Sequence, residues 1–302
     1  SFAKYHPTIA IITNCEADHL DHYGDEAHYR AAFVAHAGRA TGHVIISIDD
    51  PDGLAVLEAM PADVKSHTVA YGTTARESLP DLGGAAYVWI ASESETAGSG
   101  VEQLTLHLPA AVTAGEPVSQ SVALKVPGVH NARNAAAAIS AAVLLGVSPA
   151  DAANAAGTFL GAARRFQVRG TVKQVTVVDD YAHHPGELHA LLTTARTMGY
   201  QRVICAFQPH TYSRTKALFS QFVEELKLPD VTVLAEIYAA REQNDIGISS
   251  QDLAREIPGA IYCSSLEKVT DTLASLAQPG DLILTVGAGD IFRAGEKLLE
   301  RA

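Results

Sequence analysis

The 302-residue sequence predicts an α/β protein of two domains, the second built on a doubly wound parallel sheet. Three observations carry this. From residue 175 onward, short apolar runs alternate with helix-length stretches, the signature of βα repeats. Dense polar clusters follow three of those runs, at Asp179-Asp180-Tyr181-Ala182-His183-His184, Gln208-Pro209-His210 and Gly287-Ala288-Gly289-Asp290, where ligands of such sheets sit. The pattern changes across 159–166, Phe159-Leu160-Gly161-Ala162-Ala163-Arg164-Arg165-Phe166, without a flexible linker.

In chain order, residues 9–13 form a β-branched apolar run that reads as a buried strand. A helix is expected over 26–38 and a strand over 43–48. Asp49-Asp50-Pro51-Asp52 then turns into a helix, Pro51 suiting its first turn. Further strands are expected near 68 and over 85–91, 101–108 and 119–126, with Ser/Gly/Glu-rich 92–100 as a hairpin loop. Pro127-Gly128 stops the last of these. The Ala-rich stretch 130–145 is a helix ended by Gly146, and Ser148 caps another from Pro149. Beyond the boundary, strands are expected at 175–178, 202–207, 231–234, 261–263 and 282–286, with helices at 185–198 and 212–226 among them.

Hydrophobic residues at 47% and charged residues at 19% fit a globular chain. A formal net charge of -12, with no Lys/Arg cluster, disfavours a nucleic-acid binder. Cys15, Cys205 and Cys263 are distant and odd in number, which fits a reducing compartment better than a disulfide framework. No run has the length of a membrane span and the start is no signal peptide, so a cytoplasmic chain is expected. A first residue other than Met reads as part of a longer protein.

Four clusters hold chemistry-bearing residues. Asn14-Cys15-Glu16-Ala17-Asp18-His19-Leu20-Asp21-His22 offers carboxylates and imidazoles suited to a divalent ion that touches phosphate, or else a solvated loop leading into a helix. The 179–185 cluster places two acids at a strand end and two His before a helix-starting Pro. Such acids suit ribose hydroxyls and such a helix start suits an anion; helix capping is the plainer alternative. In 207–216, His210 and Arg214 could both grip an anionic substrate, or belong to a charged first turn. Gly287-Ala288-Gly289 lacks the third Gly of a dinucleotide fingerprint, with Phe292 in its place, and no GxxxxGK[ST] occurs.

Together and in order, these pieces resemble the Mur ligases of peptidoglycan synthesis. The resemblance rests on Thr13-Asn14-Cys15-Glu16-Ala17-Asp18-His19-Leu20-Asp21, on Pro127-Gly128-Val129-His130-Asn131-Ala132-Arg133-Asn134 and on Arg164-Arg165-Phe166. Within the family, Asp179-Asp180-Tyr181-Ala182-His183-His184-Pro185, Phe207-Gln208-Pro209-His210 and Tyr238-Ala239-Ala240-Arg241-Glu242 look like the alanine-adding branch. The resemblance implies the C-terminal part of a central ATP-binding domain with a mixed sheet and helices over 1–163. A Rossmann-like ligase domain would follow over 164–302.

It also implies ATP and Mg2+ as cofactors, and UDP-N-acetylmuramate and L-alanine as substrates. His19 would ligate magnesium. Asn134 would read the adenine with support from Asn131, Arg165 would reach the ribose and phosphates, and Asp180 would hold the ribose. His183, His210 and Arg214 would face the muramate carboxylate, the alanine or the acyl phosphate. Because these groups fall on both sides of the boundary, closure of the domains is expected, in a monomer or homodimer with no nucleic-acid or membrane partner. The family's UDP-binding domain and phosphate loop would precede Ser1, so the chain alone is expected to be inactive. Thr211 departs from the pattern, standing where many relatives have Arg. Rival readings are a relative that recycles murein tripeptide, a metal-dependent hydrolase built on His19, Asp18, Asp21 and His22, and a non-catalytic nucleotide module.

Overall fold

Strands whose side chains are apolar on both faces need cover on both faces, and the fold supplies it twice. The computed structural model describes residues 2–16, 20–92 and 102–301. The chain divides into two compact units between Leu160 and Gly161. No helix among the described residues is long and apolar enough to cross a membrane.

The first unit runs β1 (Ile9–Ile12), α1 (Leu20–Tyr23), α2 (Glu26–Ala37), β2 (His43–Ser47), α3 (Pro51–Ala59), α4 (Ala62–Lys65), β3 (Thr68–Gly72), β4 (Ala86–Ser92), β5 (Glu102–Leu108), α5 (Ala110–Thr113), β6 (Val118–Leu124), α6 (Val129–Leu144) and α7 (Pro149–Ala156). Its six strands lie in sequence order, β1 to β4 parallel to one another, with β5 antiparallel to both β4 and β6. In β2, Ile45 faces one core with α6 and α7, while Val44 and Ile46 face the other with α2 and α3. The short helices α1, α4 and α5 carry too little periodicity to be legible. The expected hairpin loop at 92–100 lies outside the described residues apart from the end of β4.

The second unit runs β7 (Gln167–Val172), β8 (Val175–Asp180), α8 (Pro185–Thr197), β9 (Arg202–Phe207), α9 (Tyr212–Ala217), α10 (Phe219–Glu225), β10 (Val231–Ala235), α11 (Ser250–Glu256), β11 (Ile261–Cys263), α12 (Leu266–Leu276), β12 (Asp281–Val286) and α13 (Phe292–Glu300). The strand order is β11-β10-β9-β12-β8-β7. Five strands are parallel, as expected.

Two elements differ from expectation. The edge strand β7 is antiparallel to β8 and shifts register between Val168 and Gly170. Its Gln, Arg and Gly residues hide it from a pattern that seeks apolar runs. The expected helix at 212–226 is two helices. Leu218 leaves helical values at φ -107° and ψ 19° and packs with Phe219 against the buried core around Phe222, a tertiary gain that overrides helix propensity.

Candidate active site

At the carboxyl end of β8 the two acids have separate tasks. Asp179 is buried and accepts from Arg164 Nε at 2.9 Å and from the Thr285 hydroxyl at 3.1 Å. Arg164 also donates to Gly287 O at 2.7 Å and Gly289 O at 3.3 Å, and its guanidinium lies over the rings of Tyr181 and Phe292. Asp180 accepts from Phe166 N and Ala182 N, both at 2.7 Å. Burial raises its carboxyl above the usual range, while those two N–H groups pull the other way. Thus Arg164 and Asp180 bind the 164–166 segment to the strand ends, and Arg165 is left to point outward.

Arg165 reaches Glu187 at 3.2 Å, and the same carboxylate faces His183 Nδ1 at 3.3 Å. Glu187 Oε2 also accepts from His183 N and His184 N, closing a capping box at the start of α8. Burial would raise the Glu187 carboxyl, but the His183 N–H, the His183 ring and Arg165 outweigh it and hold it below the ordinary range. His183 Nδ1 lies 3.0 Å from Tyr181 O, an atom that only accepts. Nδ1 therefore carries the proton of the neutral ring, and Nε2 is an open acceptor.

His210 follows β9. Its ring stacks on Tyr238 at 5.6 Å and meets His183 edge-on at 6.0 Å. Arg214 Nη1 lies 3.5 Å from His210 Nδ1, and since an Arg only donates, Nδ1 is the acceptor and Nε2 carries the hydrogen. The two imidazoles thus have opposite tautomers. The loop is fixed by Thr211 N donating to Tyr238 O at 2.9 Å and Tyr238 N donating to Pro209 O at 2.8 Å. Thr211 is held at φ 68° and ψ 145°, a region that costs a β-branched residue about 1–3 kcal/mol. Glu242 receives the N–H and hydroxyl of Ser213, tying the 238–242 loop to α9.

Burial, His183 and Arg214 push the His210 ring below its ordinary value, against the opposing pull of Glu242. As pH falls through about 6.5, the unfolded chain binds this proton before the folded chain does. His210 therefore subtracts stability on the acid side. Nitrogen-15 NMR on this chain should show His210 protonated at Nε2 and titrating below 6.5, with His183 protonated at Nδ1 at neutral pH. The opposite tautomer at either ring would overturn the assignment.

The glycines of the Gly287-Ala288-Gly289-Asp290 turn are set by their neighbours. A Cβ at Gly287 would meet Gln208 O at 2.6 Å, and one at Gly289 would meet the Tyr238 ring at 2.8 Å, so both glycines serve close packing. Gln208 Nε2 donates to Asp290, and its Oε1 accepts from Ile291 N. Burial pushes the Cys15 and Cys205 thiols up to about 12, leaving neither a nucleophile.

In the first unit, Gly128 at φ 98° opens α6, and its N–H is held by the buried Glu102 at 3.2 Å. Asn131 Nδ2 donates to Pro127 O at 2.7 Å, and Asn134 is exposed one turn on. At the end of β1, Cys15 N donates to Asp50, which also caps α3. Burial raises the Asp52 carboxyl, and Asp50, Glu26 and Glu16 add to this against Arg30, so the rim is acidic. Oxygen donors of this kind suit magnesium. The metal ligand expected there, His19, lies outside the described residues, and among the described residues no three His, Cys, Asp or Glu side chains converge on a common point.

Of the expected site residues, Arg165, Asp180, His183, His210 and Arg214 gather at one edge of the second unit, and Asn131 and Asn134 share the start of α6. Sequence reasoning missed Glu187, Tyr238 as a stacking partner, and the pair Asp49–Arg133. Only Glu187 had a signal, its place three residues after His184 in a capping box.

Two α/β sheets with titratable groups gathered beyond strand ends have the layout of a ligand-binding α/β protein. Residues 1–142 match the Mur ligase middle domain and 164–289 the Mur ligase glutamate ligase domain. The chain is 74% identical to the UDP-N-acetylmuramate–L-alanine ligase of Bifidobacterium longum subsp. infantis, over 99% of this chain and 61% of that protein. It is 49% identical to the same-named protein of Bifidobacterium adolescentis, over 99% and 60%. Among solved structures, UDP-N-acetylmuramate-alanine ligase MurC from Thermotoga maritima aligns with a TM-score of 0.71 at 24% identity, over 99% and 60%. The chain belongs to the Mur ligase family. It spans about three-fifths of the length of these relatives.

Proposed function

We propose that this chain supplies the adenine-reading and bond-forming residues of a cytoplasmic ligase that joins L-alanine to UDP-N-acetylmuramate. The observation that carries the reading is the convergence of His183 and His210, their ring centroids 6.0 Å apart, with Arg214 beside the second. Amide formation needs one group to take a proton from an ammonium or amine and others to stabilise charge on oxygen. His183 Nε2 is the proton acceptor. Glu187, facing Nδ1, stabilises the imidazolium that results, as a carboxylate orients a catalytic imidazole elsewhere. His210 Nε2–H and Arg214 donate to the carboxylate and phosphoryl oxygens, where negative charge grows.

ATP with Mg2+ supplies the activation of the carboxylate and the neutralisation of phosphoryl oxygens. The acidic rim near Glu16 and the exposed amide of Asn134 suit these two groups. In this reading His19 ligates the metal, Asn134 reads adenine with Asn131 behind it, and Arg165 and Asp180 meet the ribose and phosphates. Asp180 retains lone pairs beyond its two backbone bonds for that purpose.

The test is phosphate release by the enzyme carrying this chain, with ATP, UDP-N-acetylmuramate and either L-alanine or the murein tripeptide. Release with L-alanine at least about tenfold faster is expected, a preference of about 1.4 kcal/mol. A preference for tripeptide would move the chain to the recycling branch.

A further inference from the structure

A buried carboxylate at the end of β2 has no part in the reading above. The Asp49 side chain is 5% exposed, and it accepts from Thr73 N at 2.8 and 3.0 Å and from the Thr73 hydroxyl at 3.0 Å. Its one cationic partner among the described residues comes from α6, where Arg133 Nε donates at 2.6 Å. The surroundings are shaped to the contact. A Cβ at Gly72 would meet Asp49 Oδ1 at 2.5 Å, so only glycine leaves the carboxylate room. The Tyr87 hydroxyl donates to Thr74 O and Trp89 Nε1 to Thr73 O, bracing the turn that presents Thr73.

Arg133 stands between Asn131 and Asn134. The face that α6 buries around them is Ala132 and Ala136, followed by Ile139. Alanine methyls interlock weakly, so packing alone sets the roll of the first turns loosely. A roll of about 15° moves a side-chain tip 5–6 Å from the axis by roughly 1.4 Å, enough to break a hydrogen bond. Arg133 adds a fixed point off the core face, tied to the ends of β2 and β3.

We infer that Asp49 and Arg133 are positioning residues for base recognition, setting the roll of α6 at which Asn134 meets adenine. The inference rests on the reading of Asn134 as the adenine contact. Steady-state kinetics on the enzyme carrying this chain test it, with Asp49→Asn, Arg133→Ala, Arg133→Lys and Asn134→Ala. Asp49→Asn and Arg133→Ala should raise KM for ATP about tenfold with kcat within about twofold, and should lower the preference for ATP over GTP. Arg133→Lys should restore part of that preference. A merely structural brace would change the folded fraction and leave the preference at its wild-type value, and that outcome overturns the inference. If Asp49→Asn fails to fold, Arg133→Ala decides alone, because it removes the partner nearer solvent. If Asn134→Ala keeps the wild-type preference, the adenine reading itself fails, a result distinct from the failure of the pair.

Discussion

His210→Ala and Arg214→Ala should each slow amide formation by about a hundredfold or more, the usual cost of losing a preorganised donor to developing charge. Both act at the reacting end of the substrates in the proposed function, so kcat should fall while KM for the UDP-sugar moves little. The two losses should not add. Arg214 Nη1 lies 3.5 Å from His210 Nδ1, so the two act as one unit and the double variant should resemble the worse single one. Arg214→Lys should recover only part of the rate, because an ammonium cannot reproduce the planar fork. Steady-state kinetics on the complete enzyme decide the matter, and wild-type kcat in both alanine variants would reduce the cluster to a charged helix start.

The adjacent arginines Arg164 and Arg165 should behave in opposite ways. Arg164→Ala leaves Asp179, with a side chain 2% exposed, as a buried charge without its cation and deprives Gly287 O and Gly289 O of a donor. Breaking a buried pair by removing one partner costs about 3–5 kcal/mol. Arg165→Ala removes a contact to Glu187 in which the Arg side chain is 51% exposed, worth about 1 kcal/mol at most. Urea unfolding of this chain, read by circular dichroism, should therefore show a large loss for the first and almost none for the second. Equal losses would mean that Arg164 is no latch. In the proposed function the order reverses for ATP, with Arg165→Ala weakening its use.

Much of this was legible because it is local. Strand and helix positions follow from short apolar runs, from Pro51 and Pro149 at helix starts, and from Gly146 at a helix end. The polar clusters stand out because a doubly wound sheet puts its ligand groups where strands end. What was illegible depends on partners far along the chain. Nothing near Arg133 in sequence announces Asp49, 84 residues away. Nothing in Arg164-Arg165-Phe166 says which arginine turns inward. That choice follows from Asp179 and the Gly287 and Gly289 carbonyls meeting at one point, with Tyr181 and Phe292 bounding the guanidinium. The break at Leu218 is likewise a packing decision.

The sequence by itself determined the α/β class, the parallel strands of the second unit, and the residue types at the site, since periodicity and turn chemistry act over a few neighbours. Only the tertiary structure decided how each residue is used. It set His183 Nδ1 against the Tyr181 carbonyl and His210 Nδ1 toward Arg214, and brought the two rings together. It also made Asp180 an anchor for Phe166 and Ala182, and Asp49 a partner of Arg133. Charge and hydrogen bonding act between groups close in space, and the fold alone sets which groups those are.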